Sequence, residues 1–302
     1  MKFLITAICL LYGALNTFAS TTAVQFLNLG FGAKAPSMAD SFVSYTDDIS
    51  AGFYNPSSWG NKSEKKEWLV SHSWHIQDTS ISQFAYKNNN YGFMIDYFSA
   101  GDIEGRGENK EVTGDFSAYD LMIGGGYGFR YSDLLLGFNI KFVQQKIKDS
   151  KGNALASDIG MIYDFKDKPI VFGISLNNFG TKIKMNSSSY SLPLNLKTGV
   201  SYHIEGKNPF VLSVEFDIPR YYTSSLRIGS EYIFRSFALR AGWKSSKSVE
   251  RDAITGDSSG IDELYGFYFG FGIKILGIDL DYALLPYGEL GKSHRFAISG
   301  RF

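Results

Sequence analysis

From Glu67 to the C-terminus, apolar and polar residues alternate with a period of two. In Leu136-Gly137-Phe138-Asn139-Ile140-Lys141-Phe142 the apolar side chains are separated by Gly, Asn and Lys. Successive side chains of a strand point to opposite sides, so this alternation predicts strands with one apolar and one polar face. Phe237, Leu239, Ala241 and Trp243 likewise alternate with Ala238, Arg240, Gly242 and Lys244. In the last segment Phe296, Ile298, Gly300 and Phe302 share one side, and Arg295, Ala297, Ser299 and Arg301 the other. The pattern predicts about fourteen strands, near 67–75, 79–87, 91–99, 117–130, 133–146, 154–166, 169–179, 193–204, 209–218, 223–234, 236–245, 262–273, 277–285 and 292–302.

The connections between these strands alternate in length. The first is short, but the other odd-numbered ones run up to about 17 residues and the even-numbered ones stay near 1–4. A soluble sandwich has no reason to segregate its loops, whereas an outer-membrane barrel has short periplasmic turns and long external loops. The expected fold class is therefore all-β membrane: an antiparallel outer-membrane β-barrel of about 14 strands over 67–302, with both ends of the barrel inside the cell envelope. Its surroundings would be outer-membrane lipids.

With the apolar side toward lipid, the other side of the strands lines the lumen. It carries Glu215 and Asp217, then Arg227 and Glu231, then Arg240 and Lys244, followed by Lys274, Asp279, Asp281, Arg295 and Arg301. Opposite charges on neighbouring strands can pair across the wall, which makes a structural ion-pair network the first reading and a selectivity or ligand-steering role the second. Phe302, ending an amphipathic strand, fits the terminal signal read by barrel-assembly machinery.

Residues 20–66 lack the alternation yet are too apolar for a free tail. A segment of about 45 residues ahead of such a barrel fits inside it as a hatch or plug. Its gate candidates are Phe26, Leu27, Leu29, Met38, Phe42, Phe53, Asn55, Pro56 and Trp59. Asp47-Asp48 in this segment reads as a turn or helix cap rather than a calcium site.

Upstream, Lys2 precedes an apolar run from Phe3 to Leu15 and a small-residue site at Thr17-Phe18-Ala19. That is the form of a secretory signal peptide over 1–19, too short to span a membrane as a helix. Its removal takes away the only cysteine, Cys9, so the exported chain has no disulfide. The 30 basic and 30 acidic residues balance, which gives no electrostatic reason to expect nucleic acid, while 16% aromatic residues and 32 glycines mark the composition as unusual.

Catalysis finds little support. His72 and His75 stand three apart on a strand and face opposite sides, and Ser293 and His294 are adjacent and point apart. Gly124-Gly125-Gly126 has no following helix or lysine, so it reads as relief of barrel curvature rather than a phosphate loop. The chain is expected to be non-enzymatic, with no metal and no cofactor. The polar stretches Ile103 to Val112 and Ser246 to Gly260 are expected to be exposed external loops.

The run FLNLGFGAKAPSMADSFVSYTDDISAGFYNPSSWG, Phe26 to Gly60, resembles the N-terminal signature of the PorV/PorQ family of FadL-like outer-membrane proteins. Gly114–Asp120, Ala156–Gly160, Asn177–Ile183, Leu192–Leu194 and the closing DLDYALLPYGELGKSHRFAISGRF, Asp279 to Phe302, resemble family blocks in the same order. Ala39 stands where the family usually has glycine and Ser57 where it usually has alanine. The resemblance implies a fourteen-stranded barrel with an N-terminal hatch. It also implies one of two roles: a partner of secretion-system proteins in type IX-like secretion and surface attachment, or alternatively a FadL-like uptake channel for long-chain fatty acids or other hydrophobic small molecules.

Overall fold

A computed structural model of the protein describes residues 22–107, 109–165, 167–245 and 264–302. Its barrel strands are β1 (Glu67–Trp74), β2 (Ser80–Asn88), β3 (Tyr91–Arg106), β4 (Val112–Tyr131), β5 (Leu134–Ile147), β6 (Ser150–Phe165) and β7 (Ile170–Gly180). A separate hairpin of β8 (Ile183–Met185) and β9 (Ser188–Tyr190) follows. The wall then continues with β10 (Asn195–Ile204), β11 (Phe210–Pro219), β12 (Ser225–Phe234), β13 (Phe237–Lys244), β14 (Phe267–Ile275), β15 (Ile278–Pro286) and β16 (Lys292–Arg301). The fourteen wall strands form a closed antiparallel barrel, sealed by β1 against β16 from Glu67↔Arg301 to Trp74↔His294. Closure leaves no edge strand with unpaired backbone groups.

The side chains are distributed inside out relative to a soluble protein. Along β11, Ser213, Glu215 and Asp217 are buried while Leu212 and Phe216 are exposed. Along β13, Arg240 is buried and Phe237 and Leu239 are exposed. A polar interior and an apolar outer band are what a barrel wall facing lipid requires. Among the described residues no helix is long and apolar enough to cross a membrane.

The structure departs from the sequence expectations in three places. Residues 103–112 are not simply a loop: β3 runs to Arg106 and β4 starts at Val112, with register shifts between Ser99 and Asp102 and again at Gly105 and Arg106. Beyond the lipid-facing band a strand has no need of an apolar face, so Asp102, Glu104 and Arg106 keep ladder geometry without the alternation that marks it. The fifth connection is tight rather than long, because β5 and β6 pair down to Ile147↔Ser150 and Lys148 adopts φ 52° at the turn. The twelfth wall strand begins at Phe267 rather than near 262. The expected loop Ser246 to Gly260 and the expected signal peptide over 1–19 lie outside the described residues.

Ahead of β1, residues 22–66 form only short turns, at Gln25–Asn28, Lys34–Ser37, Ala51–Tyr54 and Pro56–Gly60. Their apolar side chains, Phe26, Leu27, Phe31, Met38, Phe42, Tyr45, Phe53, Tyr54 and Trp59, make up much of the buried core together with inward-facing strand residues such as Leu69, Met94, Met122 and Val143. The core of the molecule is thus the barrel interior, filled by the N-terminal segment.

Candidate functional site

Two kinds of wall residue hold this segment. On the side of β10–β16 the contacts are charged. The backbone N–H groups of Phe42 and Val43 both donate to Glu215 Oε2, at 2.9 and 2.8 Å. Lys34 Nζ lies 2.9 Å from Glu231, and Arg240 bridges Glu231 at 3.2 Å and Asp281 at 2.6 Å. Arg227 pairs with Asp217 and lies 3.7 Å from Asp40, which in turn accepts the Tyr54 hydroxyl at 2.6 Å. The Arg295 guanidinium donates to the carbonyl oxygens of Leu29 and Gly30. Buried charges of this kind are tolerable only because each has a partner.

On the side of β2–β7 the contacts are largely amides. Gln83 accepts from Gly32 N–H and donates to the Gly30 carbonyl, both at 2.8 Å. Asn55 caps the Pro56–Gly60 turn by accepting from Ser57 N–H, while its Nδ2 donates to the Val43 and Met161 carbonyls. Trp59 donates through Nε1 to Asn139 at 2.8 Å and lies in a slot where a methyl group on Gly52, Gly92 or Gly126 would overlap the indole. Gly126 therefore makes room for Trp59, a role that a strand sequence alone does not disclose. Asp48 accepts from Ser50 N–H at 2.8 Å, a turn contact.

Not every predicted lumen charge joins the buried network. Lys274 and Asp279 pair at 3.5 Å beside the β14–β15 turn, Lys274 exposed and Asp279 partly so. Arg301 reaches Glu67 at the end of the barrel, and these three residues border a polar cavity of ≈ 540 Å³ at the short-turn end with Lys34, Asp47, Glu231 and Arg240. Lys244 instead lines a smaller cavity of ≈ 350 Å³ near Tyr222 and Tyr265 at the opposite end. Phe302 is exposed, with its N–H on the Lys66 carbonyl at 3.0 Å.

A third cavity, mostly apolar in its lining, lies at the long-connection end. It has a volume of ≈ 580 Å³, within the usual range for small-molecule sites, and Val24, Phe26, Leu29, Ile76, Phe98, Ile147, Met185 and Tyr190 supply its apolar walls. Of the predicted gate residues only Phe26 and Leu29 border it. Leu27, Met38, Phe42, Phe53, Asn55, Pro56 and Trp59 are buried in the segment. The wall residues of this cleft come from five separate stretches of chain, so no local motif could have announced them. His75, at its rim, packs edge-on against Tyr287 at 5.2 Å. Burial, reinforced by the charge of Arg295, pushes the His75 imidazole down to about 4. Burial also pushes the Tyr287 phenol upward.

No protein-family model matches the chain. No curated protein matches it either. Solved structures do. The toluene transporter TodX of Pseudomonas putida aligns over 95% of this chain and 98% of its own at 12% identity, with a TM-score of 0.59. A Pseudomonas aeruginosa FadL homologue aligns over 95% and 99% at 10% identity, with a TM-score of 0.54. CymD, a monoaromatic hydrocarbon channel, aligns over 90% and 97% at 9% identity, again with a TM-score of 0.54. At these identities the likeness is one of fold: a closed fourteen-strand barrel of the type seen in FadL-like channels.

Proposed function

We propose that the protein is an outer-membrane uptake channel for hydrophobic compounds, with residues 20–66 as its hatch. The observation that carries this reading is the apolar cleft at the long-connection end, whose floor is residues 22–29 of the segment that fills the lumen. Short turns mark the periplasmic end of such barrels, so the cleft faces outward and a compound entering it meets the hatch. Movement of that segment would open a path toward the polar cavity at the other end. The resemblance in fold to hydrocarbon channels supports the same role, and no catalytic group is assigned. Export through a signal peptide over 1–19 and assembly through a Phe302 signal belong to this reading.

The partner role in type IX-like secretion rests on the PorV/PorQ resemblance over Phe26 to Gly60, and the cleft favours uptake over it. Purification from the native outer membrane in mild detergent, with mass spectrometry of co-purifying lipids and proteins, separates the two. The expected result is a stoichiometric apolar molecule without a protein partner. Secreted cargo and secretion components travelling with a ligand-free barrel would overturn the proposal.

A further inference from the structure

Asp120 is the one carboxylate among the described residues that line the outer cleft. Among the described residues lining it there is no lysine or arginine. Its polar groups are Asp120, buried on β4, its cross-strand neighbour Gln145, His75 at the rim, and the neutral Thr22, Gln25, Gln77, Thr79 and Tyr190. His75 Nδ1 is buried without a hydrogen-bond partner among the described residues. Arg295, the cation whose field reaches His75, already donates to the Leu29 and Gly30 carbonyls. An anionic ligand entering this cleft would bring its carboxylate toward Asp120 in an apolar surround with no counter-charge, which is costly. A neutral ligand with a hydroxyl would instead give Asp120 a second donor beside the Gln145 amide, and a hydrogen bond to a charged acceptor is among the stronger ones.

Building on the uptake reading, we propose that the outer cleft binds compact, uncharged amphiphiles carrying a hydrogen-bond donor, such as alkylphenols, and discriminates against carboxylates of the same shape. Phe26, Leu29, Phe98 and Ile147 take the apolar body, and Asp120 accepts from the hydroxyl.

The test is calorimetric titration of the full chain in detergent at pH 7.5 with 4-propylphenol, propylbenzene and 4-propylbenzoate, the phenol being un-ionised there. 4-Propylphenol should bind about tenfold more tightly than propylbenzene and more tightly still than the benzoate. Asp120→Asn should narrow the gap between phenol and benzoate, and Gln145→Lys, which sets a cation across from Asp120, should shift the ranking toward the benzoate. Benzoate binding as tightly as the phenol to the unaltered protein, or propylbenzene doing so, would overturn the inference and leave hydrophobic uptake standing. Failure of all three to bind would overturn both.

Discussion

Arg240 lies between Glu231 and Asp281, and Lys34 of the N-terminal segment shares Glu231 with it. Removing the guanidinium leaves two buried carboxylates competing for one lysine. Arg240→Met should therefore destabilise the barrel by about 3–5 kcal/mol in urea unfolding from micelles. A change under 1 kcal/mol, roughly the worth of an exposed pair, would mean this network is solvated rather than buried. At Ala39 the backbone has φ 56°, followed by Asp40 at φ 57°, a left-handed pair that costs an L-residue roughly 1–2 kcal/mol at each position. The resemblance over Phe26 to Gly60 implies a glycine where Ala39 stands, and a positive φ is a backbone state that glycine adopts without strain. Ala39→Gly should raise stability by up to about 1 kcal/mol in the same assay, and a loss of that size would contradict the strain.

His75 gives a pH dependence with a definite sign. Its folded pKa of about 4 lies below the ordinary 6.5, so the unfolded chain takes up the proton first. The stability held by neutral His75 is complete above pH 6.5 and is lost as pH falls through 4. His75→Gln should flatten the urea midpoint between pH 6.5 and 4, and an unchanged slope would place the acid sensitivity elsewhere. At this scale the sequence was partly legible. Glu215, Arg227, Glu231 and Arg240 could be placed in the lumen from alternation alone. Their actual partners on the N-terminal segment, Phe42 N–H and Lys34, could not, because a segment without regular structure has no period to read.

Among the elements, the lipid-facing strands were legible because lipid imposes alternation on them. The outer ends of β3 and β4 were not, since Asp102, Glu104 and Asp115 stand beyond that constraint while the ladder continues. The N-terminal segment is the opposite case. Its turns are too short for periodicity, and its position is fixed by fit, with Trp59 in the slot left by Gly52, Gly92 and Gly126. A side chain at Gly126 must displace the indole. Gly126→Val should keep the strand content seen by circular dichroism yet expose Lys62, Lys65 and Lys66 to trypsin faster than in the unaltered protein. Retained protection would show that Trp59 does not anchor the segment.

At the scale of the whole molecule, an inside-out barrel, a lumen filled by the N-terminal segment and an apolar cleft at one end make up the path proposed for uptake. The proposed gating requires residues 22–29 to move, and among the described residues their outer end is held by a parallel bridge between Thr22 and Ser191, by Ala23 N–H on the Ser191 carbonyl at 3.3 Å, and by Tyr222, which meets Thr22 and Gln25. The bridge also offers a lock. Thr22→Cys with Ser191→Cys sets two sulfurs on facing strand positions, a spacing that a disulfide spans, and Cys9 falls within the segment expected to be cleaved. The most direct test is uptake of labelled alkylphenol by proteoliposomes carrying this double variant, oxidised and then reduced. The account predicts that oxidation blocks uptake and reduction restores it. Equal uptake with the disulfide fully formed would contradict a moving hatch.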